Sequence, residues 1–205
     1  MRLSKAVMIC PIRSTVKWVQ DVVLGLQLCP WAGGALPGAR IFYAEADYVA
    51  TALKEMKDIL PAKGKTTLMA LPRNMSFYEF LALAEDINTE IDRSQLRGRV
   101  QLATFHPRFR FEDSEQKDPA DYTNRSPFPL LHFLREDDVS EAIDAYTAAN
   151  GVGPDKVWQR NSDLCREIGN TKMKAHLDST FVEIILPPSE EGKVQQRQNS
   201  NHTPS

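Results

Sequence analysis

Cysteine is scarce in this chain: three in 205 residues, Cys10, Cys29 and Cys165. They are odd in number, widely spaced and form no CxxC pair. That pattern suggests neither a disulfide framework nor a zinc knuckle, and it fits a reducing compartment. An excess of positive charge is also missing, since 25 Lys and Arg face 27 Asp and Glu for a net charge of -2. A dedicated nucleic-acid binder shows a basic face or stripe, so nucleic acid is not the expected partner. No apolar run approaches the roughly 20 residues of a membrane-crossing helix, so no membrane partner is expected either. The chain has no GxGxxG after a strand, no GxxxxGK[ST] and no GxSxG elbow. No cofactor is named by the sequence, and no motif fixes a reaction class. Gly33-Gly34 follows a helical pattern and reads as a turn.

What is present is ordinary for a soluble globular protein: 42% hydrophobic and 25% charged residues. The length suits one well-buried core and hardly two. The reading is a single α/β domain over residues 14–186, followed by a disordered polar tail over 187–205. The tail has no large apolar residue except Val194, too little to offset its ordering entropy. The first twenty residues carry Arg2, Lys5, Arg13 and Lys17 and no acid. Their apolar patch, 6–10, is too short for a secretory core. A frayed start before a helix in a cytoplasmic protein is expected, with a mitochondrial presequence as the alternative.

Ser14 is the expected N-cap of a helix carrying Val16, Val19, Val22, Val23 and Leu26, which should stop near Cys29 because of Pro30. A short strand follows at 41–43. Asp47 then caps a helix with the stripe Val49, Leu53, Met56 and Leu60. Residues 66–71 form a continuous apolar run that suits a buried central strand. Ser76 and Glu79 make a capping box before Phe80, Leu83, Ala84, Ile87 and Ile91. A strand at 100–105 leads into a long loop, 107–129, and back through a strand at 130–134. Loops longer than about 12–15 residues are usually functional or disordered. Asp137 or Asp138 opens a helix ended by Asn150-Gly151, and another holds Val157, Trp158, Leu164 and Ile168 up to Gly169-Asn170. A late edge strand is expected at 181–186. Strands alternating with helices usually lie parallel. The expected fold is therefore α/β: a mixed, mostly parallel sheet with helices layered on it.

Three pieces carry a resemblance. They are LGLQLCPWA (24–32), the pair QLATFHP (101–107) and NRSPFPLLHFLRE (124–136), and WQRNSDLCREIG (158–169). Together they resemble a mainly bacterial family, domain of unknown function 1415, over about residues 16–176. The resemblance implies a conserved-domain assignment and no activity. The chain departs from the family pattern at Trp31, where phenylalanine is expected. It departs again at Arg108 and Arg110 after the His-Pro step, and in its polar tail.

Residues capable of chemistry gather around the long loop. His106 ends a strand, where ligands of α/β sheets usually bind. Its imidazole suits a general base, proton shuttle or metal ligand, or else holds the loop by hydrogen bonds. His132 shares a face with Leu130 and Leu134, as a partner to His106 or as a core histidine. Asp113, Glu115, Asp118 and Asp121 are potential further ligands, but two histidines are too few for a metal assignment. Asn124, Arg125 and Ser126 precede the rigid Pro127 and offer an amide, a guanidinium and a hydroxyl to a phosphate or carboxylate. Arg135 is the second cation, and the alternative for Arg125 is a lock onto a carboxylate. Arg160 and Asn161 form a further polar pair. Cys29 is an outside candidate for covalent chemistry, because the negative end of a helix raises a thiol pKa.

The preferred reading is a hydrolase or transferase acting on a small anionic molecule with His-assisted acid/base chemistry. The rival is a non-catalytic binding or assembly module using loop 107–129, anchored by Phe109, Phe111, Tyr122 and Phe128. An exposed aromatic patch favours the module, and a closed polar pocket under the loop favours the enzyme.

Overall fold

The computed structural model describes residues 7–112, 114, 115 and 117–185. Arg2, Lys5, Asp113, Leu186 and the tail expected at 187–205 lie outside the described residues.

The described residues begin with a strand, β1 (Val7–Ile9), in a stretch where a frayed start was expected. Helix α1 (Pro11–Trp18) follows, with Pro11 at its first position, where the missing N–H costs nothing. Ser14 is therefore no N-cap. It sits buried inside α1, and its Oγ accepts from the Val182 N–H at 2.9 Å. After Trp18 the helix widens into a π-helical segment, Val19–Leu24. There Gly25 N–H reaches Gln20 C=O at 3.0 Å and Leu28 N–H reaches Val23 C=O at 2.8 Å, each five residues back. The helix thus ends before Cys29. Gln27, at φ 54°, turns the chain, and a four-residue helix, α2 (Ala32–Ala35), follows.

The main sheet is assembled from β2 (Ala39–Tyr43), β3 (Thr66–Ala70), β4 (Val100–Phe105) and β5 (Leu130–Arg135). Helix α3 (Tyr48–Ile59) joins β2 to β3, and α4 (Phe77–Arg93) joins β3 to β4. The Ser76–Glu79 capping box predicted for α4 is formed in both directions. Asp47 holds the N-cap position of α3, but at φ 51° and with no side-chain cap bond. A 3-10 turn, Pro119–Asn124, lies inside the long loop. After β5 come α5 (Glu136–Asn150), α6 (Pro154–Ile168), α7 (Asn170–Asp178) and β6 (Glu183–Ile185). Helix α7 was not expected. Gly169 turns at φ 79°, and Met173 and Leu177, four apart, then bury one face. Among the described residues strand β6 pairs only with β1, as a separate two-stranded antiparallel ribbon.

The main sheet has the order β2-β3-β5-β4. Only β2 and β3 pair in parallel; β5 runs antiparallel to both of its neighbours. The sheet is mixed but not mostly parallel. Strands β2, β3 and β4 do point the same way, as helical crossovers dictate. The loop after β4 contains no such crossover, so the chain returns antiparallel between β3 and β4.

Each face of the sheet is covered. Met69, Leu71, Leu131, Phe133 and Val100 meet Met56 and Ile59 of α3 and Phe80, Ile87 and Ile91 of α4. On the other face Leu68, Ala70 and Leu130 meet Trp18, Val19, Val22, Tyr122, Cys165 and Met173. Every residue of β3 is buried, as its continuous apolar run predicts. Burying a side chain such as Phe80 or Phe133 contributes about 2–3 kcal/mol. The carboxyl ends of β2, β3 and β4 and the start of β5 share one rim, and the loops at 44–47, 71–76 and 106–129 gather there. Among the described residues no helix is long and apolar enough to cross a membrane.

Candidate functional site

Alternation along β4 sends Phe105 to the Trp18 side of the sheet and His106 to the α4 side. His106 is 1% exposed. Its ring lies 5.1 Å from the Phe77 ring and 5.2 Å from the Phe80 ring. Nε2–H donates to Met75 C=O at 3.2 Å, and Nδ1 accepts from the Arg108 N–H at 3.0 Å. Those two partners assign a neutral ring protonated on Nε2. Burial, with the Arg108 charge adding to it, holds its pKa below the usual imidazole value. Both ring nitrogens therefore fasten the loop.

Arg125 is engaged in a similar way. Nε donates to Phe109 C=O at 3.0 Å, Nη2 reaches Asp121 Oδ2 at 3.1 Å, and the guanidinium stacks 4.5 Å over Tyr122. Asp121, 1% exposed, also accepts the Phe111 N–H at 3.1 Å. The Arg125 carbonyl accepts Trp18 Nε1–H at 3.1 Å. The Ser126 hydroxyl donates to Phe128 C=O. Asn124 lies along the outer edge of β4: its carbonyl accepts the His106 N–H at 3.1 Å and its Nδ2 reaches Thr104 C=O at 3.5 Å. His106, Asn124, Arg125 and Ser126 thus share the rim.

The other candidates lie elsewhere. His132 stands opposite Ala103 and faces the Leu130 side of the sheet, so the sheet separates it from His106. Its Nε2–H donates to Thr66 Oγ1 at 2.6 Å, which donates in turn to Phe133 C=O at 2.8 Å. The residue keeps some accessible surface, yet burial is the one cause that lowers its pKa, to about 4. Arg135 sits at the far end of β5, roughly 17 Å from Leu130 at strand spacing, paired with Asp138 at 2.8 Å and Asp137 at 3.5 Å. Arg125 and Arg135 cannot grip one small anion.

Arg160 donates to Gln27 C=O at 2.8 Å and Asn161 to Leu28 C=O at 2.5 Å, clamping the turn that precedes Cys29. Cys29 is not at a helix C-terminus. Burial nonetheless raises its thiol pKa, against the pull of the Trp31 and Ala32 N–H groups. Trp31 donates to Ala142 C=O at 2.9 Å and meets Tyr146 edge-on, which ties this turn to α5.

Asp118 is held by Arg166 at 2.9 Å and caps Ala120 N–H at 2.9 Å. Glu115 is exposed, and Asp113 lies outside the described residues. Among the described residues no group of three or more His, Cys, Asp or Glu side chains is placed to hold a metal ion. A shallow groove of about 400 Å³ runs along α1, lined by Ile12, Arg13, Val16, Lys17, Gln20 and Asp21 with Val182. It is open to solvent and contains none of the candidates.

The sequence reading missed Tyr78 and Leu81, 83% and 45% exposed on α4. They sit off the stripe of Phe80, Ala84 and Ile87, and an aromatic residue on the wrong side of an amphipathic helix was the available signal. Phe77 connects them to the loop, with its ring 5.8 Å from Phe109, which is 4.9 Å from Phe111. Of the four anchors expected for a partner, Tyr122 and Phe128 are core residues; Phe109 and Phe111 are half-buried.

A family model described as protein of unknown function (DUF1415) matches residues 11–175, which contain all three motif segments. No curated protein and no solved structure matches the chain.

Proposed function

The chain belongs to the DUF1415 family, whose description carries no activity, and from that premise we propose a non-catalytic binding module that recognises a segment of another protein. The recognition surface is the rim where Phe109 and Phe111 of the loop adjoin Phe77, Tyr78 and Leu81 of α4. One observation carries the reading: the polar side chains of the rim are bonded within the protein itself, while Tyr78 and Leu81 stand exposed beside the half-buried Phe77, Phe109 and Phe111. A general base needs a free lone pair aimed at substrate, and both His106 nitrogens are occupied. Two of the three Arg125 nitrogens are committed, Nε to Phe109 C=O and Nη2 to the buried Asp121, so a two-pronged grip on an anion would have to displace one of them. Exposed aromatic and arginine side chains are what interfaces use as anchors, and Arg108 and Arg110 flank this surface.

The test replaces two exposed residues together, Tyr78→Ser and Leu81→Ser, so the core is untouched. Peptides selected from a random library on the natural chain should bind the variant at least tenfold more weakly, with Tm unchanged. The proposal fails if inorganic phosphate or a dicarboxylate raises Tm while no library peptide is selected.

A further inference from the structure

Among the described residues, strand β4 is the outermost strand on its side of the sheet. Glu136 N–H donates to Arg99 C=O at 3.0 Å, which continues the β4–β5 ladder by one step. In an antiparallel pair alternate residues turn their backbone groups inward. Arg99, Gln101, Ala103 and Phe105 therefore bond to β5, while Val100, Leu102, Thr104 and His106 face outward. At one end Val100 N–H is taken by Leu96 C=O at 3.1 Å. At the other, Asn124 takes His106 N–H at 3.1 Å and Thr104 C=O at 3.5 Å. Four groups remain without a partner among the described residues: Val100 C=O, both groups of Leu102, and Thr104 N–H. One added strand would pair with all four.

An apolar flank runs beside this gap. The Leu102 side chain faces α4. Phe77, one turn before Leu81, touches Phe109 at the loop end, while Arg97 bonds Asn88 C=O at 3.3 Å and Asp92 at 2.7 Å at the other end. The half-exposed Leu81 thus sits on the side of α4 that overlooks the open stretch of β4.

We infer that this edge takes a short extended segment of another protein, apolar in the middle and acidic at its ends, as a fifth strand of the sheet. The inference rests on the binding-module reading and adds its mode. The segment is short because Asn124 and Leu96 close the gap at either end. Its ends are acidic because Arg99, Arg108 and Arg110 are exposed and have no carboxylate partner among the described residues. A second copy of this chain does not fit. Two-fold pairing about Leu102 sets Arg99 of one copy opposite Phe105 of the other and Arg108 opposite Leu96, so a second copy brings no carboxylate to either arginine.

The test uses the full chain and a nine-residue peptide, five alternating valines and threonines with two aspartates at each end. Amide exchange by NMR should show Leu102 and Thr104 fast in the free protein and slowed at least tenfold with peptide. A lysine-ended peptide should have no effect. Thr104→Pro, which removes an outward N–H and spares the ladder to β5, should abolish the slowing with Tm nearly unchanged. Amides already slow in the free chain, or no slowing at millimolar peptide, overturn the inference. If library-selected peptides still bind and depend on Tyr78 and Leu81, the module stands and only the edge mode is lost.

Discussion

Arg125 and Asp121 form the costliest contact of the long loop, because the carboxylate is enclosed. Arg125→Ala leaves a buried charge unpaired and should cost about 3 kcal/mol in urea unfolding. Adding Asp121→Asn should recover part of that loss; a double variant no better than the single would show that the pair is not coupled. His132 governs a pH effect. Its folded pKa, about 4, lies below the ordinary 6.5, so below pH 6.5 the unfolded chain takes up a proton that the folded ring refuses. Stability present above pH 6.5 should fall as the pH drops toward 4, by up to about 3 kcal/mol. The His106 shift acts in the same direction. His132→Gln should flatten the fall, read as urea midpoints at pH 7.5 and 4.5; an unchanged fall would assign it to other groups.

At the scale of elements, the π-helical segment is the unusual one. It adds a residue to the turn and brings the chain to Gly25, where a Cβ would lie 2.2 Å from the Asp21 carbonyl oxygen. Backbone cannot yield there as a flexible side chain would. Gly25→Ala should therefore open the segment and lower stability by about 2 kcal/mol or more, measured by thermal unfolding. Loss of the Arg160 and Asn161 clamps on Gln27 and Leu28 should accompany it. An alanine variant as stable as the natural chain would mean the turn re-forms as ordinary α-helix.

Across the whole molecule, local signals were the legible ones. The Ser76–Glu79 box, the Phe80, Ala84, Ile87 and Ile91 stripe and the apolar run of β3 each depend on neighbours in sequence, and each is found where its pattern puts it. The insertion of β5 between β3 and β4 depends on a pairing that no local period encodes, so the alternation of strands and helices points to a more parallel sheet than the one that forms. The two histidines show the same limit. Alternation assigns each a face of its own strand, but only the register relates one strand's faces to the other's. Arg135 is a different miss: at strand spacing, five residues beyond Leu130 already reach the opposite rim. Ser14 reads as a cap only if Pro11 is overlooked as a helix start.

The position of β5 governs the order of events during synthesis. The strand in contact with both β3 and β4 is also the last of the main sheet to leave the ribosome. Until Arg135 has emerged, the nascent chain carries two raw strand borders and two half-covered apolar faces. Such surfaces are what chaperones hold and what aggregates recruit. Closure of this fold is thus a late, non-local step, and a stall or truncation just short of β5 leaves two flaps with nothing between them.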